Sequence, residues 1–118
     1  MKRLCCLPLL LLTSVSASAE QIQFKIVDVL WLTHSSRGEG VEIVYQFARK
    51  PDDGDDALKA FALSECNRVA PKYVPLVLKQ VGKTEADFVS MNLRFGGAFG
   101  TYIKFFAENE NGVCSDMD

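Results

Sequence analysis

The chain has 118 residues, 48% apolar and 24% charged, with a formal charge of −2, four cysteines and one histidine. That apolar content excludes a disordered chain, and eight glycines with four prolines exclude a fibrous or low-complexity one. A chain this short makes one small domain and has no room for a separate nucleotide-binding half.

Met1-Lys2-Arg3 opens with positive charge, Leu4 to Leu12 is a leucine-rich run broken by Cys5, Cys6 and Pro8, and Thr13 to Ala19 ends in Ala17-Ser18-Ala19. These parts read as a signal peptide over residues 1–19, leaving residues 20–118 as a single mature domain. The apolar run is shorter than the ~20 residues an anchor needs. Cys5 and Cys6 precede most of it, which does not suit lipid attachment. No later stretch is apolar enough to span, so no membrane anchoring is expected after cleavage, and the expected location is the periplasm or the exterior. Lys2 and Arg3 leave with the signal, so 11 basic residues face 15 acidic ones, a formal charge of about −4. With its cations scattered, such a surface disfavours nucleic acid and anionic membranes.

Ile22, Phe24 and Ile26 alternate with Gln21, Gln23 and Lys25, the period of a half-buried strand. From Val27 the alternation fails: Val27, Val29 and Trp31 face one way, Leu30 and Leu32 the other. Such a strand is covered on both faces or carries a bulge that shifts its phase. His34 to Gly40 is a turn, and Val41, Ile43, Tyr45 and Phe47 share one face of the returning strand.

Lys50 to Asp56 leads into a helix, where acidic side chains at the start accept backbone hydrogen bonds and favour the dipole. Leu58, Phe61, Ala62, Cys66, Val69, Tyr73 and Val77 form its apolar stripe. Pro71 and Pro75 lack the N–H that continues the ladder, so the spacing predicts a helix from Asp56 to Val69, a kink near Pro71, and a second stretch to Val81 capped by Gly82. Phe88 to Phe95 and Thr101 to Glu108 follow as strands joined by Gly96-Gly97-Ala98-Phe99-Gly100, and Val113-Cys114 suits a brief last strand after the turn Asn109 to Gly112. The expected fold is α+β: strand-strand-helix-strand-strand, an antiparallel four-stranded sheet with one kinked helix on one face.

Cys66 and Cys114 remain after cleavage, and in an exported chain a lone pair predicts a structural disulfide rather than a redox or nucleophilic thiol. No catalytic or metal site is expected, and no cofactor. His34 beside Ser35 and Ser36 belongs to no Gly-x-Ser-x-Gly elbow and reads as a turn residue. Asp52, Asp53, Asp55 and Asp56 do not match the calcium-loop pattern and read as a solvated helix start. The glycines at 96, 97 and 100 lie between strands without the lysine of a phosphate loop.

The aromatic residues are in surplus. With Leu30, Ile43, Met91 and Ile103 beneath the helix, Trp31, Phe88, Tyr102 and Phe106 tend to the opposite face or its edges. Their cover is the chain's own loops and tail, including the Phe99 turn, or a second copy, a partner protein or an apolar ligand.

A signal peptide, a strand hairpin, Cys66 in mid-helix, Pro71 after it, Gly82 before an acidic connector and strand, and the ending Phe-Phe-Ala-Glu-Asn-Glu-Asn-Gly-Val-Cys (Phe105 to Cys114) carry a resemblance. On these features the chain is similar to an uncharacterised family of small exported proteobacterial proteins, some of whose members carry the label acetolactate synthase. The resemblance implies the disulfide and the periplasm and brings no catalytic residues. A thiamine-dependent synthase needs large cofactor-binding domains, which so short a chain does not hold.

The expected function is therefore that of an exported binding or accessory protein, not an enzyme, acting through a protein partner or a homodimer around Trp31, Phe88, Tyr102 and Phe106. Two other readings are a periplasmic carrier with an enclosed apolar cavity and a small hydrolase built on two carboxylates that meet in space.

Overall fold

The computed structural model describes residues 23–52, 54–97, 100–110, 113–115 and 117–118. The export segment, Asp53, Ala98 and Phe99 lie outside the described residues. Period-two alternation gives strands β1 (Phe24–His34), β2 (Gly38–Phe47), β3 (Phe88–Phe95) and β4 (Thr101–Glu110), and the short β5 (Val113–Ser115) follows β4. Between β2 and β3 runs one helix, α1 (Asp55–Val81). The class is α+β, with a mixed sheet of five strands in the order β1-β2-β3-β4-β5.

Two expectations about the sheet need correction. Among the described residues there are five strands rather than four, because Val113 to Ser115 pairs with Glu108 to Glu110. The sheet is not wholly antiparallel, because β2 and β3 run side by side in parallel, Val41 opposite Val89 and Phe47 opposite Phe95. The helix causes this. Its 27 residues span about 40 Å, enough to carry the chain back to the end of the sheet where β2 began. The hairpins β1–β2 and β3–β4 remain antiparallel.

The kink expected near Pro71 is also corrected, for α1 is continuous from Asp55 to Val81. Pro71 and Pro75 lie one turn apart and both are exposed. The carbonyls they leave without an N–H, on Asn67 and Pro71, sit on that same exposed side, where water serves them. Among the described residues no side chain caps the start of α1; Gly54 is the N-cap, so Asp55 and Asp56 favour that end through the dipole rather than by capping. Gly82 ends the helix in the left-handed conformation, φ 71°, as its position predicts.

The helix packs on the face carrying Val41, Ile43, Tyr45 and Phe47 of β2 and Val89, Met91, Leu93 and Phe95 of β3, all buried. Leu58, Ala62, Cys66, Val69, Ala70, Val74 and Val77 fill it from above. Phe61 meets Phe24, Tyr45 and Phe47 edge-on, at 5.0, 5.9 and 5.4 Å between ring centres. Cys66 and Cys114 form a disulfide, with their Cα atoms 6.1 Å apart, which clamps α1 to the end of the sheet. Asn67 strengthens that clamp: its Oδ1 accepts the Cys114 N–H at 2.9 Å and its Nδ2 lies 3.4 Å from the Cys114 carbonyl.

Candidate functional site

The helix covers one face of the sheet, so any function of the other face depends on what stands there. Register gives its rows. Leu32, Gly40, Phe88 and Glu108 form one, Leu30, Glu42, Ser90 and Phe106 the next, and Asp28, Val44, Asn92 and Lys104 the third. Gln46, Arg94 and Tyr102 end the face.

Leu30 thus lies on the open face, not beneath the helix as its spacing predicts. Trp31 lies on the helix side, opposite Val41 and half-buried against the core. The reason is the expected phase shift in β1, a bulge between Ile26 and Asp28. It puts Phe24 and Ile26 before it, and Val29 and Trp31 after it, on the same side. Of the four aromatic candidates, the structure brings Phe88, Phe106 and Tyr102 onto the open face and separates Trp31 from them.

Phe88 and Phe106 are already covered, and by the chain itself. Their rings meet at 5.5 Å, and the His34 ring closes on Phe106 at 5.2 Å and on Phe88 at 6.4 Å. The Arg37 guanidinium stacks 4.3 Å above Phe106, and Asp118 at the C-terminus holds it at 3.4 Å. The Asp118 N–H donates to the Phe106 carbonyl at 2.9 Å. Gly40 makes this cap possible, since a Cβ there would overlap the Phe88 carbonyl and ring. His34 therefore does more than turn the chain. Its Nδ1 accepts the Ser36 N–H at 3.2 Å, and the Ser36 hydroxyl lies 3.3 Å from the same nitrogen.

Beside this cap lies a polar group that the sequence reading missed. Glu42 is 5% exposed and accepts from the Ser90 hydroxyl at 3.0 Å and from Asn92 Nδ2 at 3.3 Å, with Lys104 Nζ at 3.0 Å. A carboxylate in the middle of Val-Glu-Ile-Val could have signalled it, because β2 is a central strand and its polar side chains need partners. A second buried acid, Glu65 on α1, accepts the Tyr45 hydroxyl at 3.0 Å and two Arg68 donors at 2.9 and 2.7 Å. Burial, and then the Glu65 charge, hold the Tyr45 phenol far above its usual range, and Glu65 holds the Arg68 guanidinium up likewise. Glu42 and Glu65 lie on opposite sides of the sheet, so they do not make the facing carboxylate pair a hydrolase would use.

The far end of the open face is different. Tyr102 is 65% exposed, Arg94 stands opposite it across β3–β4, and Lys104 Nζ lies 5.9 Å from the Tyr102 ring centre. Among the described residues Arg94 makes no ion pair. A cleft of about 560 Å³ opens here between Gln46, Arg94, Gly96, Gly97 and Tyr102. Gln46 is fixed by donating to the carbonyls of Phe47 and Gly96 at 3.0 and 2.7 Å. A second cleft, of about 810 Å³, lies between the proline side of α1 and Thr84, Glu85 and Glu110. Both are at the rims of the fold, whereas the space between helix and sheet is filled by buried side chains. Among the described residues no helix is long and apolar enough to cross a membrane, and no cluster of three metal-ligating side chains forms. Comparison with protein families, curated proteins and solved structures finds no match.

Proposed function

We propose that this protein is an exported, non-enzymatic binding domain whose open sheet face holds an acidic segment of a partner protein at Arg94 and Tyr102, beside the Glu42-paired Lys104. One observation carries the reading: Tyr102 stands 65% exposed between two cations on a face that, among the described residues, no helix covers. Tyrosine and arginine concentrate binding energy at interfaces, and pre-ordered side chains lose less entropy when a partner docks. Lys104 is pre-ordered by Glu42 and Gln46 by its two carbonyls. The cations of this end also stand out against a mature chain that is acidic overall. The disulfide and the export-like leader support the periplasm or the exterior as the place of action.

A photocrosslinking side chain placed at Gln46 tests this directly in the producing cell, with a crosslinker at exposed Lys72 on α1 as control. The position-46 adduct should form with a partner, and Arg94→Glu or Tyr102→Ala should weaken it at least ~10-fold while circular dichroism stays native. Equal labelling from position 72, or an adduct indifferent to both substitutions, would overturn the proposal.

A further inference from the structure

The two edges of the sheet are finished differently. At the β5 edge the strand has three residues, and Asn67 occupies both the N–H and the carbonyl of Cys114. At the other edge β1 runs for eleven residues with, among the described residues, a strand on one side only. A long open edge is a template for another strand, which proteins ordinarily shorten, charge or cover.

The side chains of β1 point the same way. Beside it, Val41 to Tyr45 of β2 are all buried. In β1, by contrast, Phe24, Ile26, Val29, Leu30, Trp31 and Leu32 are all only half-buried, and Val27 is 44% exposed. The strand is apolar on both faces yet covered fully on neither. The Val29 N–H donates to the neighbouring Asp28 carboxylate at 2.9 Å, a local partner that another strand would replace.

We infer that β1 pairs antiparallel with β1 of a second copy, about a two-fold axis between Ile26 and Val27, to make a continuous ten-stranded sheet. Charge selects a second copy over a foreign strand. Lys25 and Asp28 are exposed, opposite in sign and three residues apart. About that axis Lys25 of each copy faces Asp28 of the other. In a regular strand, residues 25 and 28 would lie on opposite faces and could not meet. The bulge between Ile26 and Asp28 puts both on the open face, as their partners Gln46 and Val44 show. The same register sets Phe24 opposite Val29 of the other copy, both on the helix side. One axis therefore satisfies the charged row and the apolar row together, as an isologous interface requires. Lys25 shares the row of Gln46, Arg94 and Tyr102, so this surface adjoins that end of the face, but it is built on the edge strand and neither proposal requires the other.

Sedimentation equilibrium of the processed protein, disulfide intact, tests it. The wild type should sediment at twice the chain mass at about 100 μM. Lys25→Asp or Asp28→Lys alone turns two attractions per dimer into two repulsions, and should weaken dimerisation about tenfold or more. The double variant restores both pairs with reversed sign and should recover wild-type association within about threefold. Circular dichroism monitors folding, and since both residues are exposed the fold should hold. A monomeric wild type would leave the edge to a strand of another protein and overturn the assignment. Dimers indifferent to the single changes, or not rescued by the double change, would overturn it equally.

Discussion

Tyr45 joins the packed core to a charge, and removing its hydroxyl separates the two contributions. Its side chain is 0% exposed, and its hydroxyl donates to Glu65 Oε1 at 3.0 Å. In Tyr45→Phe the ring packing survives, and Glu65 keeps both Arg68 hydrogen bonds, so no buried charge is stranded. The loss is one hydrogen bond to a charged acceptor, about 1.5 kcal/mol at neutral pH. Alkali reverses the comparison. Burial first, and the Glu65 carboxylate second, keep the folded phenol protonated well beyond the 10.0 of an ordinary tyrosine. Above that pH the unfolded chain gives up a proton that the folded chain retains, so unfolding gains free energy. The wild type then loses about 1.4 kcal/mol of stability per pH unit through this residue, a loss absent below pH 10. Phenylalanine carries no such proton. The variant should therefore start about 1.5 kcal/mol less stable, keep that deficit to about pH 10, and equal the wild type near about pH 11. Urea unfolding of both proteins at steps from about pH 7 to about pH 11.5 measures the difference, with the lysines and other tyrosines common to both. A deficit that stays constant through the alkaline range, or none at neutral pH, would refute the coupling of burial and Glu65 at this hydroxyl.

Replacing both Cys66 and Cys114 by alanine opens a loop with a sequence separation of 48 residues. By loop entropy this should lower unfolding free energy by about 4 kcal/mol, read by urea titration. Gly40→Ala places a methyl group on the Phe88 carbonyl and ring and should cost about 1–3 kcal/mol by the same measurement. Gly97→Ala meets nothing within 4 Å and should stay within about 0.5 kcal/mol of the wild type. Equal effects at the two glycines would refute the account of the Phe88 cap.

Much of the fold was legible because the strands repeat at period two. Val41 to Phe47, Val89 to Phe95 and Ile103 to Ala107 each announce the face that meets the helix, and the structure puts them there. The Cys66–Cys114 pairing was legible because elimination left one choice. Strand direction was not, since alternation is unchanged when a strand is reversed. Only the length of the connection between β2 and β3 bears on it, and a 27-residue helix serves a parallel crossover. The prolines misled because a local rule was applied without a surface. On the exposed side of α1 their lost hydrogen bonds fall to water, and the buried stripe from Leu58 to Val77 holds the helix together across them.

The open face shows where one-dimensional reading stops. Its aromatic surplus was visible, and so was a cover of loops and tail as one choice among several. The residues that give the cover were not, because only the closed sheet brings His34 at the end of β1, Arg37 in the following turn and Asp118 to Phe106. Glu42, Ser90, Asn92 and Lys104 come from three strands, and each looks like an ordinary outward residue in its own segment. Glu42 and Ser90 are buried because their row is central, with Leu30 on one side and Phe106 on the other. Asn92 and half-buried Lys104 reach Glu42 from the next row. A polar residue in a central strand must be partnered across strands, whereas one at an edge can turn to water. The face thus partners most of its own polar groups at its middle and at the His34 end, with Asn92 Oδ1 left without a hydrogen bond among the described residues. What it leaves for others is what lacks that internal partnering, Arg94 and Tyr102 at the far end and the long backbone of β1 at the edge.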